Sequence, residues 1–162
     1  MTITSTSGGR SAEPGFESFV ADAGQLLRRA LIARYGLDVG LDLHAEALER
    51  AWRDWERVGA MANPTGYLWR TAVSGHRRYR RWSRRPEFPG SGALADPGLA
   101  ERDLFLSLGI LNDRERVAVV MVHAHQATYQ EVAELLGVPT TTVTNLVHRG
   151  LAKLRNDLQE AP

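Results

Sequence analysis

The 162-residue chain contains no cysteine. That absence removes disulfides, thiolate metal ligands and a cysteine nucleophile together. Long apolar runs are also missing. The longest aliphatic stretch, VAVVMV at 117–122, is far too short to cross a bilayer. The opening MTITSTSGGRSAE has no apolar core of the kind a secretory signal needs, so a cytoplasmic protein without membrane insertion is expected. No glycine-rich nucleotide loop is present. His123 and His125 are two residues apart and fall on different faces of a helix, whereas a metal pair needs a separation of four. His44, His76 and His148 have no carboxylate pattern resembling a site. The expectation is a protein with no catalytic residue, no metal and no cofactor, and not an enzyme. Lysine is nearly absent, since Lys153 is the one basic residue that is not arginine. Genome base composition can produce that bias, so it carries no functional weight.

What is present describes a globular chain, 43% hydrophobic and 24% charged. No convincing strand and no internal repeat appear, so the fold class is all-α. The net charge of +1 hides an asymmetry. Residues 1–85 carry 14 arginines against 9 acidic residues, and residues 86–162 carry 6 basic against 10 acidic. Six of the arginines crowd into residues 77–85. Between the halves lies PEFPGSGALADPG, residues 86–98, with three prolines and three glycines. Proline removes backbone donors and glycine raises the cost of ordering, so neither helix nor strand should persist there. Two small helical domains joined by a flexible linker follow from this: a polar disordered tail over 1–13, a domain over 14–85, the linker over 86–99 and a domain over 100–160.

On the N-terminal side, Phe16, Phe19, Val20, Ala23, Leu27, Ala30 and Leu31 recur at helical spacing, and Gly36 ends that helix. A second series runs through Leu43, Ala47, Leu48, Ala51 and Trp55. Asn63 followed by Pro64 is a strong helix start for a third. On the C-terminal side, Asn112 with Glu115 and Thr128 with Glu131 have the spacing of reciprocal N-terminal caps. Gly137 can close the 128–136 helix, and Thr140 opens another with Val143, Val147, Gly150 and Leu154 along one face. Two helices joined by so tight a glycine-containing turn read as a helix-turn-helix.

If that valine face is buried, Thr141, Thr142, Thr144, Asn145, His148 and Arg149 face outward. Such side chains bond phosphates and base edges when a helix presents its N-terminal turns to the major groove. The same face would also serve as the solvated surface of an ordinary bundle. In the N-terminal half, Tyr67, Trp69, Tyr79 and Trp82 accompany Arg70, Arg77, Arg78, Arg80, Arg81, Arg84 and Arg85. Aromatic rings stack on exposed bases while arginines follow phosphates, which suits single-stranded DNA. A solvated basic helix end with the two tryptophans in a core is the plainer alternative. The helix-turn-helix downstream favours nucleic acid.

Taken in order, these segments resemble an extracytoplasmic-function sigma factor of the sigma-70 family, over roughly residues 15–158. FESFVADAGQLLRRAL, LDLHAEALERAWRDWERV and NPTGYLWRTAV are similar to the family's second region. LNDRERVAVVMVHAHQATYQEVAELLGVPTTTVTNLVHRGLAKLR is similar to its fourth. The resemblance implies a transcription initiation factor that binds core RNA polymerase and promoter DNA and stabilises the melted minus-ten element. It implies polymerase contact through a DLxQE-like segment, here Asp42, Leu43 and Glu46, with Ala45 at the glutamine position. It implies base capture by the loop from about Arg57 to Asn63, with Asn63 the candidate. Tyr67, Trp69, Arg70, Arg77, Arg78, Arg80 and Arg81 would line the single-strand path. Ser74 and Arg78 stand where the family usually has Asn and Asp. Duplex reading of the minus-35 element would fall to Thr141, Thr142, Thr144, Asn145, His148 and Arg149. The family usually carries Lys or Arg at the positions of Thr144 and Leu146, so weak duplex affinity is expected, with Arg149 and Arg155 as the main phosphate contacts. Leu146, apolar on a presumed DNA face, becomes a candidate protein contact, and an anti-sigma factor a candidate partner.

Two alternatives stay open on the sequence. One is a sigma-like or helix-turn-helix regulator that acts by protein binding without initiating transcription. The other is a repressor, which would pair across palindromic half-sites. No dimerisation segment is visible, so a monomer is expected for the free chain.

Overall fold

A computed structural model describes residues 15–80 and 106–160, with the side chains of residues 78–80 left out. The expected tail, the linker and Arg81 and Trp82 lie outside the described residues. Every regular element among the described residues is helical.

The first apolar series forms two helices instead of one. Helix α1 (Phe16–Ala21) and helix α2 (Ala23–Tyr35) meet at Asp22, whose φ of −102° and ψ of −79° break the path. The break lets α1 turn its rings onto the later helices: Phe16 packs edge-on against Trp52 at 4.9 Å and Trp55 at 5.2 Å. Gly36, at φ 84°, ends α2 in a conformation that favours glycine, and its N–H bonds to the Ile32 carbonyl at 2.8 Å. Helix α3 (Leu37–Arg53) then folds back along α2. The two touch backbone to backbone at Gly40, where a Cβ would sit 2.6 Å from the Ile32 Cα. A short α4 (Trp55–Gly59) precedes α5 (Pro64–Arg80). The start of α5 is capped as its sequence anticipates: the Asn63 Oδ1 accepts from the Gly66 N–H at 2.8 Å.

In the C-terminal half, α6 (Asp113–Val119) begins at a complete capping box of Asn112 and Glu115. It continues as a π-helical turn over Val120–Ala124 and ends near Gln126, which adopts φ 55°. A second complete box, Thr128 with Glu131, opens α7 (Tyr129–Leu136). Gly137 at φ 66° and ψ 41° closes it in the left-handed region. Helix α8 (Thr140–Glu160) follows, burying Val143, Leu146, Val147, Gly150 and Leu154.

The halves do not keep separate cores. Leu27, Leu31 and Leu68 from the N-terminal side and Val117, Met121, Val132, Leu135 and Val143 from the C-terminal side belong to one buried apolar cluster. A small satellite of Leu111, Val119 and Leu154 sits beside it. A helical unit of 60 to 70 residues buries only about 60% of the surface its unfolded chain exposes. Joining the leftover apolar faces of α2, α5, α6 and α7 removes more surface from water than either half could alone.

The α2–α3 contact gives a direct test of this packing. Gly40→Ala pushes a methyl into the Ile32 backbone, which cannot give way as a side-chain tip can. Despite the better helix propensity of alanine, it should destabilise the protein by about 1–3 kcal/mol, read as a lowered urea midpoint with an unchanged slope.

Candidate nucleic-acid interface

The helix-turn-helix is built by α7, Gly137 and α8. Its outward face is open: Thr141, Asn145, His148 and Arg149 are exposed, and Thr142 and Thr144 are half-buried. The Thr144 hydroxyl bonds back to the Thr140 carbonyl at 3.1 Å. Leu146 does not belong to this face. It is 4% exposed and sits in the main core, so the expected apolar contact for a partner is a packing residue instead. It lies beside Val143 and Val147, and its neighbours along the helix turn it inward with them. Beneath α8, the buried Glu115 receives the Lys153 ammonium at 2.8 Å. Burial alone would raise the carboxyl's pKa. Lys153 and the Asn112 N–H outweigh it and hold the group below the usual carboxylate range.

On α5 the single-strand candidates divide. Arg70 and Arg77 are exposed, and Tyr67 and Asn63 are half-buried. The Tyr67 hydroxyl accepts from Arg57 at 3.2 Å while the same guanidinium lies 5.5 Å from the ring centre. This pins α4 to α5, and Asp54 holds the other side of Arg57 at 2.5 Å. Trp69 is a correction. It is 5% exposed, packed in the core with the Arg34 guanidinium 5.9 Å from its ring, and has no face left for a base. Its place on α5, two residues from Tyr67, turns it to the opposite side of the helix. The backbone of α5 includes Arg78 and Arg80, whose side chains are not described, and Arg81 lies outside the described residues.

The candidate polymerase segment lies on α3. Asp42 and Glu46 are exposed one turn apart, while Leu43 is 7% exposed and belongs to the core under them. Leu43 therefore supports this surface from below instead of touching a partner. His44 is buried too, and its Nε2 donates to the Gly24 carbonyl at 3.0 Å, tying α3 to α2.

Sequence reasoning missed the contact that joins the halves. Arg116 of α6 is 3% exposed. It donates through Nε to the Ala33 carbonyl at 2.9 Å and through Nη2 to the Arg34 carbonyl at 3.0 Å. These are among the last carbonyls of α2, which have no partner within their own helix. Arg116 also donates to the Leu111 carbonyl at 3.0 Å and to Asp113 at 2.8 Å. The other Asp113 oxygen pairs with the Arg34 guanidinium at 3.0 Å. A second bond crosses the junction at the start of α5, where the Asn63 Nδ2 donates to the Glu134 carbonyl at 2.8 Å. Nothing local in the sequence signals either contact.

Among the described residues there is no cluster of potential metal ligands and no helix long and apolar enough to cross a membrane.

A two-part all-α protein carrying an open helix-turn-helix face beside an arginine-rich helix belongs to the DNA-binding regulators. The comparisons narrow that class. Residues 107–156 match the family profile described as Sigma-70, region 4. The RNA polymerase sigma-E factor of Streptomyces coelicolor is 30% identical over 124 residues, which span 72% of this chain and 70% of that one. That of Streptomyces antibioticus is 29% identical over 126 residues, 73% of this chain and 69% of the relative. Two solved structures share the fold. The sigma factor RpoE of Bartonella quintana, solved with the anti-sigma factor NepR, superposes with a TM-score of 0.66 at 20% identity, covering 91% of this chain and 98% of that one. CnrH, solved with the cytosolic domain of CnrY, gives 0.58 at 21% identity, covering 91% and 89%. The chain belongs to the sigma-70 family, in its extracytoplasmic-function group. It is a transcription initiation factor, and such factors are regulators rather than enzymes.

Two histidines make the packing of α2 pH-sensitive. Burial lowers the pKa of His44 from 6.5, the Gly24 carbonyl recovers part of that, and Arg28 lowers it further. Burial, then Arg29, lowers that of His125. A depressed histidine pKa means the unfolded chain takes the proton first. The stability contributed is complete above about pH 6.5 and is lost as pH falls below it. Urea midpoints measured from pH 7.5 downward should therefore drop below about pH 6.5, and His44→Gln should show a shallower drop.

Proposed function

We propose that this chain binds core RNA polymerase through the exposed Asp42 and Glu46 of α3 and reads promoters in two places. Duplex at the upstream element meets Thr141, Thr142, Thr144, Asn145, His148 and Arg149 of α8. The melted downstream element meets Asn63, Tyr67 and Arg70, with Arg77, Arg78, Arg80 and Arg81 following its phosphates. The observation that carries the reading is the open polar face of α8, presented by two capped helices within the segment that matches region 4. The functional division is 14–85 for polymerase and the minus-ten element and 100–160 for the minus-35 element, with 86–99 between. The protein works in the cytoplasm as a monomer until it meets polymerase, and an anti-sigma factor is its expected inhibitory partner, RpoE having been solved with the anti-sigma factor NepR.

Thr144 carries no charge, and Leu146 points into the core. Duplex attraction from this face then rests mainly on Arg149, with Arg155 about one and two-thirds turns further along. Each lost phosphate contact lowers the salt slope by about 0.9. Arg149→Ala should weaken binding of the sigma–polymerase complex to linear promoter DNA and flatten its log-log salt dependence by about that amount.

The test of the function is run-off transcription by purified core polymerase on a genomic promoter library, with and without the chain. Specific transcripts that vanish with Asp42→Ala plus Glu46→Ala support it. Polymerase binding without transcripts favours the second reading, a sigma-like regulator that does not initiate, for which Ala45 and Thr144 are the motivating residues.

A further inference from the structure

The geometry points to a base preference written into α8: the duplex element this chain reads contains an adenine taken by Asn145, with a thymine beside it packed on the Thr144 methyl. This inference rests on the assignment of α8 to duplex DNA given under Proposed function, and it names the bases that face selects.

The reading stripe is short and fixed. Thr141, Asn145 and His148 follow one another at steps of four and three residues and are exposed, with the half-buried Thr144 beside them. At 1.5 Å per residue the stripe is about 10 Å long, the rise of about three base pairs. Its orientation is set from behind. Val143, Leu146 and Val147 are buried, and a Cβ on Gly150 would fall 2.6 Å from the Val119 Cγ2 of α6. The helix cannot rotate to offer other side chains.

The chemistry of the stripe then decides which base it fits. No arginine or lysine stands on α8 before Arg149. Guanine shows two acceptors to the major groove, N7 and O6, and calls for the paired donors of a basic side chain. Adenine shows one acceptor, N7, and one donor, its N6 amino group. That is the complement of a carboxamide. Asn145 carries the carboxamide on this stripe, and among the described residues no hydrogen bond engages it. Asn63 and Asn112 differ in this respect, since each spends its side chain on capping a helix. Asparagine is a poor helix former, and at position 145 the fold takes nothing in return for it.

Thr144 adds a second contact of the same preference. Its hydroxyl is spent on the Thr140 carbonyl at 3.1 Å, so the group it offers a partner is its methyl. In the major groove a methyl meets the C5-methyl of thymine, which A·T pairs alone present. The two residues are consecutive, so their contacts fall on neighbouring pairs. Arg149 lies about two and a half turns beyond Thr140, and its Nε leans back to the Asn145 carbonyl at 3.4 Å. That position suits phosphate rather than the bases under the first turns.

The test uses the full chain bound to purified bacterial core polymerase, selecting from a randomised duplex library whose retained members are sequenced. The unaltered chain should enrich an upstream element with an invariant A·T pair. Asn145→Ala should make that pair degenerate and leave its neighbours as they were, whereas Arg149→Ala should weaken all duplexes alike. Adenine with carbon in place of N7 at that pair should weaken the unaltered chain at least ~5-fold, and Asn145→Ala not at all. Deoxyuridine for the adjoining thymine removes one methyl. It should weaken the unaltered chain about 4-fold and leave Thr144→Ser indifferent, since serine keeps the hydroxyl without the methyl. Neither residue belongs to the core, so both variants should fold.

A G·C pair at the position that Asn145→Ala relaxes, or indifference of the unaltered chain to the loss of N7, would overturn the inference and leave α8 a duplex reader. Indifference to the missing methyl would remove the Thr144 contact from it. An absence of any upstream element, or one that Asn145→Ala and Arg149→Ala both leave unchanged, would overturn the reading of α8 itself.

Discussion

The arrangement of the whole molecule depends on one buried guanidinium. Arg116 is withdrawn from water, and a buried charge is tolerated only when its donors are met. Three carbonyls and a carboxylate meet them, and two of the carbonyls belong to the far half of the chain. The contact is favourable for both sides. The end of α2 gains a cation where its helix dipole is negative and its last carbonyls lack partners. Asp113, fixed at the first turn of α6, hands its second oxygen to Arg34. Lysine could not serve this geometry, because a single ammonium cannot reach carbonyls on both sides with a rigid fork. Apolar burial supplies most of the attraction between the halves, and the guanidinium fixes how they meet.

Local features were legible in the sequence, since each is written in residues three or four apart. Both capping boxes, the left-handed Gly137, the Asn63 cap and the buried stripe of α8 appear where spacing put them. What spacing could not show was which face of a helix meets something else. Trp69 beside an arginine reads as a stacking ring, yet it fills the space under Arg34. Leu43 sits in a motif of partner residues and turns inward, and Leu146 in a presumed DNA face does the same. Each of these lies on a helix whose polar and apolar faces are separated by a single residue step. A 100° rotation decides the outcome, and it is set by tertiary packing. The Arg116 contact spans more than eighty residues and leaves no periodic signature at all.

The candidate site is consequently asymmetric. The groups proposed to read duplex sit on a helix that packs by its opposite face, so the junction between the halves leaves them open. The groups assigned to melted DNA sit where α5 begins, next to the junction, and share their hydrogen bonds with α7.

That account requires the free chain to behave as one cooperative body rather than as two beads on a string. Native-state hydrogen exchange in low denaturant tests this most directly, because amides report the opening free energy of their own segment. If the halves are joined as described, the slowest amides of α2 and those of α6 and α8 should converge on the same opening free energy and the same denaturant dependence. Should the C-terminal amides exchange through a separate, lower-energy opening while α2 stays protected, the halves are independent. The Arg116 contact would then not govern the molecule.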